Sequence, residues 1–236
     1  NGGMLHAFNS GFWDDAQKGY VTQLSGDSAT AHPLGAELWA FIPKAALPHL
    51  QFVADPAYAH MALVDGSPQA FDVNIFPDDT NHPGGWGTIL VVNMRMGGGP
   101  FTVRVDEDED GSTEDVVVRP SVFIFDVTNP EEKPELLAEL SHPNMGYTLG
   151  KPALIKRRVA GATWGSVQEN RWLLVFGSGP TDLDTATSDQ NANLYAYDLN
   201  AREWASDWTD GLKTVTLEGN AYISDISVED WDRDYV

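Results

Sequence analysis

Leu194-Tyr195-Ala196-Tyr197-Asp198, followed by Leu199-Asn200-Ala201 and then Arg202-Glu203-Trp204-Ala205, is the stretch from which the fold is read. Successive side chains of a strand point to opposite faces, and an Asp at a strand end bonds the backbone of the turn that follows. The stretch therefore spells an antiparallel hairpin with a capped turn. The same phrase occurs at two earlier places. Met4-Leu5-His6-Ala7-Phe8-Asn9 is answered by Ala36-Glu37-Leu38-Trp39-Ala40-Phe41, and Val122-Phe123-Ile124-Phe125-Asp126 by Pro134-Glu135-Leu136-Leu137-Ala138-Glu139. A supersecondary unit that recurs along a chain signals an array of like sheets.

A second template precedes the hairpins. It reads Gly66-Ser67-Pro68-Gln69-Ala70-Phe71-Asp72-Val73, then Gly150-Lys151-Pro152-Ala153-Leu154-Ile155, with a weaker copy at Ile223-Ser224-Asp225-Ile226-Ser227-Val228. Between the templates lie Trp86-Gly87-Thr88-Ile89-Leu90-Val91-Val92 and Arg171-Trp172-Leu173-Leu174-Val175-Phe176, near-continuous apolar runs of the kind that form strands buried on both faces. Each full unit thus has four strands. The class is all-β, and the architecture expected is a partial β-propeller with long loop insertions. Residues 1–65 hold the outer half of one blade, 66–149 a complete blade, 150–221 a second, and 222–236 the first strand of the next. Closed propellers have about four to eight blades, so the rest of the ring is expected outside this sequence.

Three segments exceed what a hairpin requires. Residues 10–35 interrupt the first hairpin, Ala45 to His60 is expected to carry a short helix, and residues 101–120 form an insertion. In the last, Phe101-Thr102-Val103-Arg104-Val105 and Asp115-Val116-Val117-Val118-Arg119 read as strands around an acidic tip, a protruding hairpin. Ordered insertions on a rigid scaffold are common places for binding function.

Composition excludes several classes. Of 236 residues, 14 are basic and 35 acidic, a formal charge of −21, which opposes binding to nucleic acid and to anionic lipid. With no cysteine there is no disulfide framework, thiolate metal site or cysteine nucleophile. No apolar run approaches the roughly 20 residues of a membrane span. The chain starts without methionine and reads as a segment of a longer polypeptide.

Two acidic stretches have the spacing of a calcium loop, in which carboxylates at alternate positions turn toward one point. Asp230, Asp232 and Asp234 occupy positions 1, 3 and 5 of one, with Tyr235 where glycine is usual. At the hairpin tip, Asp106, Asp108 and Asp110 occupy 1, 3 and 5, Gly111 position 6 and Glu114 position 9, while Val117 stands where a bidentate Glu would complete the set. A solvated acidic turn is the alternative for both. Asp182, Asp184 and Asp189 are irregularly spaced and read as solvated.

Enzyme signatures are missing from the sequence. The histidines, His6, His32, His49, His60, His82 and His142, are dispersed, without an i, i+4 metal pair; no G-x-S-x-G elbow occurs, and Gly97-Gly98-Gly99 fits a tight turn better than a phosphate loop. The tryptophans largely fall at blade positions where packing accounts for them. A periplasmic quinoprotein-like dehydrogenase, which shares the blade pattern, is the alternative class; its axial calcium and Trp platform cannot be assembled from these blades.

The phrases Asn1-Gly2-Gly3-Met4-Leu5-His6-Ala7-Phe8-Asn9, Glu37-Leu38-Trp39-Ala40-Phe41-Ile42-Pro43, Val64-Asp65-Gly66-Ser67-Pro68, Gly146-Tyr147-Thr148-Leu149-Gly150-Lys151-Pro152 and Trp172-Leu173-Leu174-Val175-Phe176-Gly177-Ser178-Gly179 resemble, in order, the C-terminal propeller of the PilC/PilY family of type IV pilus tip-associated adhesin and biogenesis proteins. The resemblance implies a non-catalytic protein of the outer cell surface and pilus tip, exported through the periplasm. It also implies minor pilins as partners, contact with host or abiotic surfaces, and a role in pilus assembly, adhesion and twitching motility. Many members carry a calcium loop of alternating aspartates in the propeller, and Asp230-Trp231-Asp232-Arg233-Asp234-Tyr235-Val236 is the stretch that matches it.

Overall fold

The computed structural model describes residues 3–24, 29–106, 108–159, 161–163, 166, 169–205 and 215–229. The first hairpin is β1 (Leu5–Phe8), which pairs antiparallel with β4 (Glu37–Phe41). The interruption between them folds into its own small hairpin, β2 (Phe12–Asp14) with β3 (Gly19–Val21). Its turn is built by Asp14, whose Oδ1 accepts the N–H groups of Ala16 at 2.7 Å and Gln17 at 3.0 Å. The expected helix is a 3₁₀ turn, Lys44–His49, running into the single α-turn Leu50–Val53.

The unit 66–149 is an antiparallel meander. Strands β5 (Gln69–Asn74), β6 (Trp86–Asn93), β9 (Val122–Asp126) and β10 (Glu135–Leu140) lie side by side in chain order, and β7 (Phe101–Val105) and β8 (Glu114–Val118) form the inserted hairpin as a separate ribbon. The unit 150–221 repeats the pattern with β11 (Ala153–Arg158), β12 (Asn170–Gly177), β13 (Asn191–Asp198) and β14 (Glu203–Trp204). It adds a strand not foreseen from the sequence: β15 (Val215–Asn220) takes the Asn191–Leu194 part of the β13 edge, leaving Tyr197 and Asp198 to β14.

Alternation within the apolar runs explains the layering. Ile89 and Val91 of β6, with Val122 and Ile124 of β9, face a core closed from the other side by Trp172, Leu174 and Phe176 of β12 and Tyr195 and Tyr197 of β13. The intervening residues Val92, Phe123 and Phe125 face the opposite way, onto a second core that includes Ala45, Ala46, Leu63, Val64 and Phe41. Both faces of the central sheet are therefore covered, as continuous rather than alternating hydrophobicity requires. Each fully buried Val, Leu, Ile or Phe among them contributes about 1.5–3 kcal/mol, which makes these two cores the main source of stability.

A close backbone crossing lies beyond the second strand of each unit's sheet. A Cβ on Gly97, just after β6, would lie 1.9 Å from the Leu63 carbonyl oxygen; a Cβ on Gly179, just after β12, would lie 1.6 Å from that of Tyr147. In both units the segment entering the sheet passes over the end of the second strand at a distance only glycine permits.

The weaker third copy of the entry template differs from expectation. Residues 221–229 belong to no strand, although the sequence pattern assigns Ile223–Val228 to one. They are tethered as an extended segment, with the Ile223 N–H donating to the Ser178 carbonyl at 2.8 Å and the Lys151 N–H to Asp225 Oδ1 at 2.9 Å. Ile226 packs on the Leu173–Val175 face of the second unit. Among the described residues no strand lies alongside to complete a ladder, and an unpaired strand has no hydrogen-bonding reason to be one.

Candidate functional site

The strand-end residues act as the pattern predicts. Asn9 Oδ1 accepts the Gly11 N–H at 3.0 Å, Asp126 Oδ1 that of Thr128 at 2.9 Å, and Asp198 Oδ1 those of Asn200 at 2.9 Å and Ala201 at 3.0 Å. In each case the second side-chain atom reaches elsewhere. Asn9 Nδ2 donates to Thr30 Oγ1 and to the His32 carbonyl, Asp126 Oδ2 faces His82 Nε2, and Asp198 Oδ2 pairs with Arg171 Nε. A single Asn or Asp side chain thus closes each turn and ties it to a neighbouring segment.

The inserted hairpin is rooted by Phe101, Val103 and Val118, which pack on the second core, and its ladder runs in register from Phe101–Val118 to Val105–Glu114. That register carries the tip clear of the sheet and places Glu114 at the strand end, beside the loop that begins at Asp106. The loop is held by its first carboxylate: Asp106 Oδ1 accepts the Asp110 N–H at 3.0 Å and Oδ2 the Gly111 N–H at 2.9 Å, with Gly111 at φ 91°. Asp106, Asp108 and Glu114 each bring a carboxylate oxygen within 4.8 Å of the others, all of them exposed. Ligands on opposite sides of a calcium ion are separated by about 5 Å, so this trio fits around one ion as it stands. An all-carboxylate set of hard oxygens suits calcium, magnesium or manganese rather than zinc or copper.

Asp110, the fourth candidate at this tip, is not part of the trio, and the Ser112 hydroxyl stands between it and Glu114, 3.0 Å from Glu114 Oε1. Asp110 Oδ1 takes both the hydroxyl and, at 2.8 Å, the N–H of Ser112, and these bonds hold its carboxyl below the usual range. The loop resembles a calcium loop in its first, third and ninth positions and departs from it at the fifth. The other acidic candidates, Asp230, Asp232 and Asp234, lie outside the described residues. Asp182 caps its own turn through the N–H groups of Asp184 and Thr185, as a solvated aspartate does.

The histidines are placed individually. His6 reaches across its hairpin to Glu37 at 3.0 Å, and His60 is exposed. His82, unremarkable in the sequence, has two carboxylate partners among the described residues: Nδ1 lies 3.1 Å from Asp79 Oδ1 and Nε2 lies 2.8 Å from Asp126 Oδ2. Asp79, three residues before it, was a signal open to sequence reading; Asp126 was not. Of the tryptophans, Trp172 is buried, whereas Trp13, Trp86 and Trp204 keep large exposed surfaces, so packing accounts for fewer of them than their positions suggest.

Comparison with known proteins identifies the relatives. A protein of Xylella fastidiosa (strain Temecula1 / ATCC 700964) named "Type IV pilus biogenesis factor PilY1 homolog" is 28% identical over 184 residues, 76% of this chain. A second protein of that name from the same strain is 27% identical over 201 residues, 84% of this chain. The chain is related to the PilY family. It spans 8% of the length of the first PilY1 homolog and 11% of the second. No family model and no solved structure matches it. Among the described residues of this PilY relative, no helix is long and apolar enough to cross a membrane.

Proposed function

We propose that this chain is part of a β-propeller in a non-catalytic type IV pilus biogenesis protein, acting as a rigid scaffold at the cell surface and pilus tip. The relationship to two PilY1 homologs across most of the chain is the observation that carries this reading. The face-to-face stacking of four-stranded meanders supports the propeller, in which the two units are consecutive blades. The scaffold presents loops to minor pilins and to host or abiotic surfaces, and so supports assembly, adhesion and twitching.

Calcium is the proposed ligand of Asp106, Asp108 and Glu114. Neutralising clustered carboxylates orders the tip of an otherwise rooted hairpin, and the bound form is the one that engages a partner. The loop beginning at Asp230, Asp232 and Asp234 is proposed as a second calcium site on the strength of its spacing and the family resemblance.

The scaffold reading is tested in a strain lacking the parent gene, restored either with the intact gene or with residues 66–221 deleted. Loss of surface pili and twitching with the deletion, in a protein that still reaches the surface, is the expected result; full piliation would refute it. Calcium is tested by calorimetry on the full-length parent, with Asp108→Asn and Asp232→Asn as separate variants. Each is expected to remove one binding event, and heats unchanged from the native protein would refute the corresponding site.

A further inference from the structure

We infer that the loop from Ile75 to Gly85 is a latch that closes on the end of β9 while the His82 ring carries both of its protons, and that it opens when one proton is lost. Asp79 Oδ1 accepts the N–H groups of Asn81 and His82, each at 2.8 Å, and faces His82 Nδ1; Asp126 Oδ2 faces Nε2. An ionised carboxylate only accepts, so both contacts are hydrogen bonds only if both ring nitrogens carry hydrogen. The Phe76 ring stacks on the imidazole at a centroid distance of 4.1 Å and an interplanar angle of 16°, a platform that also favours the cationic form.

Phe76, buried in the first core, pins the start of the loop, and the rest of it is fastened within itself. Asp78 Oδ1 accepts the Gly84 N–H at 2.8 Å, and Asn74 Nδ2 donates to the Gly84 carbonyl at 2.7 Å, so the loop keeps its shape. His82 is its bond across to β9. Between loop and strand lies a cavity of about 170 Å³, lined also by Thr128, Asn129, Glu132, Lys133 and Glu135. Asp79 and Asp126 face His82 directly, Glu132, Lys133 and Glu135 line the same cavity, and Asp78 lies on the loop itself. The carboxylates outnumber the cations, Lys133 and Arg202, the latter paired with Glu135 at 3.7 Å.

Burial of the ring opposes its charge, but the bonds to Asp126 and Asp79 outweigh that cost and raise its pKa above 6.5. The sign follows: a cation favoured in the folded state stabilises it at low pH, and the contribution fades as pH climbs through the raised value. The neutral ring has one N–H for two carboxylates, and its bare nitrogen then faces a carboxylate oxygen.

The experiment is an NMR titration of the His82 imidazole nitrogens in the full chain, with amide hydrogen exchange over residues 76–85 from pH 6 to pH 9. Expected are a midpoint above 6.5 and, after correction for intrinsic exchange, about a tenfold loss of protection for each unit by which the midpoint is raised. The His82→Gln chain, with one amide donor and no titration, is expected to exchange at the open rate throughout. A midpoint at or below 6.5, or protection that does not change with pH, would overturn the latch. Should His82→Gln fail to fold, the native titration and exchange decide alone.

Discussion

In the unit 150–221 the aspartate that ends the third strand, Asp198, is paired with Arg171 from the strand beside it; in the unit 66–149 the matching Asp126 meets His82, which arrives from a loop. The ladders make the correspondence explicit. Asp198 lies opposite Leu173 and Asp126 opposite Ile89, so Gly87 stands where Arg171 stands. A side chain at Gly87 would strike Phe76 and Thr128 Oγ1, each at 2.5 Å, and a cation cannot come from that position. The turn-capping half of the aspartate is kept in both units because the backbone needs it. The other half takes whatever cation the local chain supplies, permanent in one unit and titratable in the other.

The largest expected effect tests whether the two units are copies at all. Gly97→Ala and Gly179→Ala each push a Cβ into a backbone carbonyl that cannot move without displacing the entry segment, and each is expected to cost on the order of 3 kcal/mol or more. Chemical denaturation should show both variants losing similar stability; one tolerated glycine would break the repeat at that crossing. Next comes Arg171→Gln. It leaves Asp198, only 7% exposed, without its cation, and because Arg171 keeps 22% of its surface in water the loss is expected to be about 2 kcal/mol, below that of a fully buried pair. The loss should be the same from pH 6 to pH 9, since arginine does not titrate there.

What was legible in the sequence follows from how local each signal is. The runs Trp86–Val92 and Arg171–Phe176 announce strands covered on both faces because an unbroken apolar run is itself a local signal, and Asn9, Asp126 and Asp198 announce turns because the N–H groups they accept lie two or three residues on. The β2–β3 hairpin was hidden by its brevity, although Asp14 ahead of Ala16 and Gln17 was a local turn signal. At the acidic tip, spacing brought Asp106, Asp108 and Glu114 together but could not foresee that Ser112 competes for Asp110. The His82–Asp126 contact joins residues far apart in the chain, and β15 occupies an edge that exists only because β14 is short. No periodicity encodes either.

His82→Gln sharpens the comparison by its pH dependence. Its melting temperature should fall below that of the native chain at pH 6 and converge with it as pH rises through the raised His82 value, whereas the Arg171→Gln deficit stays constant. A constant His82→Gln deficit would mean that the imidazole contributes by packing on Phe76 rather than by charge. The smallest effect on stability belongs to Asp108→Asn. Its carboxylate is exposed, and the hairpin is rooted by Phe101, Val103 and Val118 rather than by its tip, so without calcium the melting temperature should not change. With calcium the native chain should gain stability by mass action and the variant should not, because an ion that binds only the folded tip stabilises by its occupancy alone. Differential scanning calorimetry at low and high calcium separates the outcomes. An equal calcium gain in native and variant chains would move the ion away from this loop, and the insertion in the unit 66–149 would then differ from its plain counterpart in shape but not in chemistry.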